Sequence, residues 1–269
     1  TIGMRLEQGR LQCDSFQTSV YVAVDSVGSF YNRSQDVTRN FSGWSFEWGE
    51  AVSLSDRQSF KYSLQRAWRM PNSAELFMNG VHHGTFRHEQ GNAQLKPEVA
   101  YMFDMAYEFQ AEKIRLSVAG YAHYFSNYIF LRASSIYSEL PDGGQVHIYA
   151  QDGALFSGGE MKSEFQLNTR TKLEWSAQSV FSYLFSAGTA SPFTPPVSST
   201  ILFQQKLFEL KNKLNVQLEV QGNWAAAQNR VDRNEKTTPG YETLDTRIVV
   251  EWKWRKMTLE SNVGVSNVF

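Results

Sequence analysis

The chain has 269 residues, with 26 Lys+Arg against 27 Asp+Glu and a formal net charge of −1. That balance, with the basic residues scattered singly, excludes the phosphate-neutralising stripe of a nucleic-acid binder, and the single cysteine, Cys13, excludes an internal disulfide or a thiolate metal cage. Aromatic residues make up 14% of the chain while mean hydropathy is −0.41, a mixture that suits strands with one apolar and one wet face.

In chain order, period-two alternation predicts eleven strands, near 1–11, 43–53, 58–69, 98–110, 113–131, 145–166, 171–186, 200–210, 213–225, 243–253 and 256–268. In the fourth, Val99, Tyr101, Phe103, Met105, Tyr107 and Phe109 share a face opposite Ala100, Asp104, Glu108 and Gln110. In the ninth, Leu214, Val216, Leu218 and Val220 alternate with Asn215, Gln217, Glu219 and Gln221. In the tenth, Leu244, Ile248, Val250, Trp252 and Trp254 oppose Asp245, Arg247, Glu251 and Lys253.

The connections alternate too. Short polar turns fall at Leu54–Arg57, Ala111–Glu112, Leu167–Arg170, Lys211–Asn212 and Trp254–Arg255, and long connections at 12–42, 70–97, 132–144, 187–199 and 226–242. A meander with tight turns at one end and long loops at the other is the layout of an outer-membrane β-barrel, and an apolar band of about 25 Å crossed at about 40° takes roughly 10 residues per strand. A soluble β-sandwich binding a carbohydrate or protein through its aromatics also alternates, so alternation alone leaves it open. The rings favour the barrel: Trp252, Trp254, Phe109 and Phe165 lie beside short turns, whereas Tyr124, Phe125, Tyr128, Tyr183, Phe185 and Trp224 lie toward the long loops, as two interfacial girdles would. No stretch approaches about 18 consecutive apolar residues, which removes helical spans. The first ten residues do not read as a signal peptide, and the abrupt start and strand-like end at Asn267-Val268-Phe269 lead us to expect part of a longer protein.

One long connection is unlike the rest. It runs Arg69-Met70-Pro71-Asn72-Ser73-Ala74-Glu75-Leu76, then Gly80-Val81-His82-His83-Gly84-Thr85, and returns through Gly91-Asn92-Ala93-Gln94-Leu95-Lys96-Pro97-Glu98. These segments resemble the R-x-P-x3-E-L, G-x-H-x-G-T and G-N-P-x-L-K-P-E stretches of TonB-dependent outer-membrane receptors. The matches fall on Arg69, Pro71, Glu75, Leu76, Gly80, His83, Gly84, Thr85, Gly91, Asn92, Leu95, Lys96, Pro97 and Glu98, with Ala93 where that family more often has proline. Tyr149–Glu160, Thr238–Asp245 and Gly264–Phe269 resemble further motifs of the family in the same order.

The resemblance implies an all-β, antiparallel, up-and-down transmembrane barrel, of which residues 1–269 supply about 11 of about 22 strands, with the plug domain and final strand absent. It also implies a bacterial outer-membrane receptor that takes up a scarce chelate such as a ferric siderophore, haem, cobalamin or a metal complex. Its partners would be outer-membrane lipid, the chelate, and the TonB complex acting through the missing N-terminal part. A passive porin-type channel is the membrane-bound alternative. In the motif loop itself, Pro71 ends a strand by removing an amide donor and Ser73 can cap a helical turn over Ala74–Met78.

His82, His83 and His88 form an H-H-x4-H cluster near Glu75 and Glu89, a donor set that suits zinc, copper or a haem iron. Adjacent histidines on a strand face opposite ways, so no more than one of His82 and His83 serves a given ligand, and His83 also reads as a structural hydrogen-bonding residue of the motif. No G-x-S-x-G, H-E-x-x-H, G-x-G-x-x-G or P-loop occurs, so neither an enzyme nor a bound cofactor is expected. The carboxylates Asp104, Glu108, Glu174, Glu219, Glu251 and Glu260 fall on alternating positions that would face a wet lumen.

Overall fold

The computed structural model describes residues 1–20, 29–82, 84–140, 143–211, 213–255 and 257–268. In chain order the elements are β1 (Ile2–Cys13), β2 (Phe16–Val20), β3 (Ser29–Ser34), β4 (Val37–Ser55), β5 (Gln58–Arg69) and α1 (Ser73–Phe77). Then come β6 (Asn79–His82), β7 (Arg87–Gln90), β8 (Glu98–Gln110), β9 (Ile114–Tyr137), β10 (Gln145–Asn168) and β11 (Thr171–Leu184). The last four are β12 (Ser198–Leu210), β13 (Leu214–Ala225), β14 (Tyr241–Trp254) and β15 (Met257–Val265).

Eleven strands form one antiparallel wall in the order β1-β4-β5-β8-β9-β10-β11-β12-β13-β14-β15, matching the eleven read from the sequence. The wall is a single open sheet. Its companion, the β2–β3 hairpin, has only two strands and cannot cover a face of it, which overturns the sandwich reading. The hairpins β2–β3 and β6–β7 lie inside connections read as loops, and β9 runs on to Tyr137 where a loop was expected from residue 132.

Cross-strand partners share a face, so the register sorts the side chains. Arg66, Tyr101, Tyr124, Leu155 and Tyr183 are successive partners from β5 to β11, and Leu218, Ile248 and Val263 from β13 to β15. The apolar face is the exposed one: Phe103 is 40% exposed, Ile248 45% and Val263 79%. Left in water such rows would cost about 25 cal/mol per Å²; facing lipid they cost nothing.

The opposite face is polar. Gln204, Glu219 and Arg247 are partners across β12, β13 and β14. Glu219, almost fully buried, accepts from Gln204 and Gln217 at 2.8 Å each and from Arg247. Lower on this face Lys172 bridges Glu164 at 3.0 Å and Glu174 at 2.7 Å.

At the short-turn end, Lys211 and Arg255 adopt positive φ of 42° and 55°, the left-handed geometry that lets hairpin turns of two or three residues follow the twist of their strands. Trp252 and Trp254 stand exposed beside that end, and Trp44, Tyr101, Tyr124, Tyr183, Phe185 and Trp224 near the other. Phe125 and Tyr128 do not join the girdle. Phe125 follows Tyr124 by one residue and so points to the other face, where both rings pack on Phe156 beside a buried cluster of Phe130, Ala154 and Leu184.

Candidate functional site

The functional geometry lies above the upper girdle. About 10 residues suffice to cross the apolar band, whereas β9 and β10 have 24 each. Beyond Tyr124 on β9 and before Leu155 on β10 the pair rises as a tower, and two sets of contacts lock the loops to it.

The first set is the motif loop. Arg69, at the exit of β5, donates to both carboxylate oxygens of Glu75 at 3.0 and 2.8 Å and to Glu98 Oε2 at 3.2 Å. Glu98 opens β8 directly opposite Arg69 and also accepts the amide of Ile129 at 2.9 Å. Glu75 closes a capping box: its side chain accepts the Asn72 amide and its own amide donates to Asn72 Oδ1, both at 2.8 Å. Asn72 is therefore the cap that was expected at Ser73, and α1 covers Ser73–Phe77.

Leu76 and Leu95, at 2% and 1% exposure, plug a cluster with Phe41, Trp68 and Ile129, and Pro71 is fully buried. Gly91 donates to Met78 O at 2.6 Å, and a Cβ there would lie 2.7 Å from the backbone of Leu76 and Phe77. Asn92 donates to Glu75 O at 2.8 Å, so the two residues satisfy carbonyls at the end of the helical turn. Gly80 gives room to the Arg33 guanidinium, and Gly84 and Thr85 turn the β6–β7 hairpin, Thr85 donating to His82 O at 3.1 Å. Arg39 of β4 holds the carbonyls of Ala93 and Leu95. Gln151 of β10 grips Lys96 at both its amide (3.1 Å) and its carbonyl (2.8 Å), just before Pro97. One connection thus ties β4, β5, β8, β9 and β10 together.

The structure separates two of the candidate histidines. His82 pairs with Arg87 and His88 with Val81 across the hairpin, so the two imidazoles leave opposite faces. His88 is buried, with Nδ1 2.8 Å from Ser138 Oγ and Nε2 2.9 Å from Asn79 Oδ1, and burial, aided by Arg33, holds its pKa below the ordinary value. His82 is exposed, 3.4 Å from Thr85 Oγ1. His83 lies outside the described residues. Among the described residues no three His, Cys, Asp or Glu side chains are grouped to hold a metal. Nearby, Tyr149 donates to Glu89 at 3.2 Å; burial and that carboxylate push the phenol up to about 12.

The second set was invisible in the sequence. Asp232, in the connection between β13 and β14, accepts a two-pronged contact from Arg132 of the tower at 2.6 and 2.9 Å and a third bond from Thr189 at 2.7 Å. Its side chain is 1% exposed. Burial would raise its pKa, but the bonds from Arg132, Thr189 and the Arg233 backbone outweigh burial and hold the carboxyl below the usual carboxylate value. Glu235 accepts the amides of Phe193 (2.9 Å) and Asp232 (3.0 Å), and Asn234 donates to Ala133 O at 3.1 Å. Two outer connections are stapled to each other and to the β9 tower.

A strand wall that is apolar on its exposed face, polar on the other and carries stapled loops at one end and short turns at the other defines a transmembrane β-barrel of the outer-membrane type. The chain belongs to the TonB-dependent receptor family: the family model for the "TonB dependent receptor-like, beta-barrel" matches residues 3–268. Among solved structures it is similar to the copper transporter OprC, with TM-score 0.78 and 18% identity over 99% of this chain and 39% of that one. The ferric-catecholate import receptor Fiu of E. coli K12 matches at TM-score 0.66 and 14% identity over 99% of this chain and 37% of that one. The siderophore receptor PirA of Acinetobacter baumannii matches at 0.60 and 15%, over 98% and 41%. The chain therefore spans about two fifths of the length of these structures and shares the fold of that part of them.

Proposed function

We propose that this chain is the wall and outer-loop portion of an energised outer-membrane receptor that imports a scarce metal ion or metal chelate. The ligand is captured between the stapled loops, and a plug and the closing strands, carried elsewhere in the protein, complete the barrel and couple it to TonB. The observation that carries the reading is the buried Arg132–Asp232–Thr189 contact, which ties the β11–β12 and β13–β14 connections to the β9 tower. An open diffusion pore has no need of outer loops bound this tightly, so the contact favours a receptor over a passive channel.

A strain deleted for the full-length protein and grown on ferric siderophore, haem, cobalamin, copper or zinc as limiting source should lose growth on one of them. Complementation should restore growth only while TonB is present. Uptake that persists without TonB would establish the passive channel instead.

A further inference from the structure

On the polar face of the wall, β8 and β9 bring together a donor set that belongs to neither loop network. His123 Nε2 lies 2.9 Å from Asp104 Oδ1, and the imidazole lies tilted at 35° to the Tyr121 ring with the centroids 4.8 Å apart. Those are the contacts His123 makes among the described residues, and its Nδ1 has no hydrogen-bond partner there. A neutral imidazole whose Nε2–H donates to a carboxylate carries its lone pair on Nδ1, the arrangement of a metal-ligating histidine oriented by an outer carboxylate.

Directly across the ladder from His123 stands Met102. Partners of this kind have Cβ atoms about 4.5–5.5 Å apart on the same face, and the flexible methionine side chain can bring its thioether beside the ring. The site stays accessible: Asp104 is 40% and His123 17% exposed at the side chain. A nitrogen and a thioether with an open remainder suit a soft ion of low coordination number, and hard or strictly tetrahedral ions lack the ligands they need.

We propose that Met102 and His123, with Asp104 as the positioning carboxylate, form a copper(I)-binding site on the lumen wall. The proposal deepens the import reading by naming the class of ion and rests on that reading for its place in a lumen.

The test is competitive titration of the purified full-length protein with copper(I), kept reduced, against a chromophoric chelator, with zinc(II) titrated in parallel. Correct folding is checked by heat-dependent mobility on gels. Met102→Leu should weaken one copper(I) equivalent by about tenfold or more while leaving zinc(II) binding unchanged. His123→Ala should remove that equivalent, and Asp104→Asn should weaken it by about 10–100-fold. Copper(I) affinity within twofold of wild type in a folded Met102→Leu protein would overturn the proposal, and this conservative variant decides the matter even if His123→Ala does not fold. Failure of the receptor reading would register separately, as absence of the wild-type protein from outer-membrane fractions.

Discussion

The two ends of the strand wall are held by different means. At the short-turn end the chain reverses in a few residues, and local contacts do the work: Lys211 and Arg255 accept left-handed φ values, and Thr171 donates to Asn168 three residues away. At the other end the connections are long, and closure entropy must be offset by side chains: the Arg69–Glu75–Glu98 hub on one flank and the Arg132–Asp232–Thr189 staple on the other. One end is fixed by local sequence, the other by contacts up to about a hundred positions apart, and perturbations should fall on the two very unequally.

The largest effect is expected from Asp232→Ala. It leaves Arg132 half-enclosed over Phe130 without its carboxylate, and breaking a buried pair on one side costs about 3–5 kcal/mol. Limited proteolysis of the full-length protein in membranes should then cut within 185–197 and 226–240, with the wall intact. Next comes Gly91→Ala. The added methyl meets backbone at 2.7 Å, which cannot retreat as a side-chain tip can, and should cost about 1–3 kcal/mol, read as faster hydrogen exchange across 72–80.

A smaller, pH-dependent effect separates the two networks at the loop end. The pKa of His88 is depressed in the folded state, so its contribution is complete above the unfolded value of about 6.5 and is lost as pH falls through the lower folded value. Protection against hydrogen exchange in the β6–β7 hairpin, after division by the intrinsic pH-dependent exchange rate, should fall between pH 7.5 and 5.5, and His88→Gln should abolish that fall. The Asp232 staple should be unmoved over that range, because a depressed carboxylate loses its contribution only below about 3.9. The smallest effect belongs to the turn end: Arg255→Gly relieves a left-handed residue and should shift stability by less than about 1–2 kcal/mol, with unfolding midpoint as the readout.

This inequality also decides what could be read from the sequence. The wall was legible because alternation is local, and all eleven strands overlap the segments period two picks out, although β4 starts earlier, at Val37, within the connection read as 12–42. The β2–β3 hairpin was not, since strands of five and six residues rich in Ser, Thr, Gln and Asn carry no apolar alternation. Nor was the upper part of β9, where Arg132-Ala133-Ser134-Ser135 breaks the pattern and the strand is held by pairing with β10. The capping residue was recoverable: a capping box needs Glu three positions on, which Asn72 has in Glu75 and Ser73, facing Leu76, lacks. Asp232 had no such signal, because a carboxylate in a polar loop looks the same whether it meets water or an arginine a hundred residues away.

The exposed apolar face of the wall meets lipid, and everything above the girdle is positioned by that. The most direct test places single nitroxide labels along β14 of the full-length protein, freed of its other thiols and returned to bilayers, and measures collision with oxygen against a water-soluble nickel complex. Labels at Ile248, Val250 and Trp252 should favour oxygen, and those at Arg247, Val249 and Glu251 should show no such preference. Equal accessibility at both sets, or the opposite phase, would contradict it.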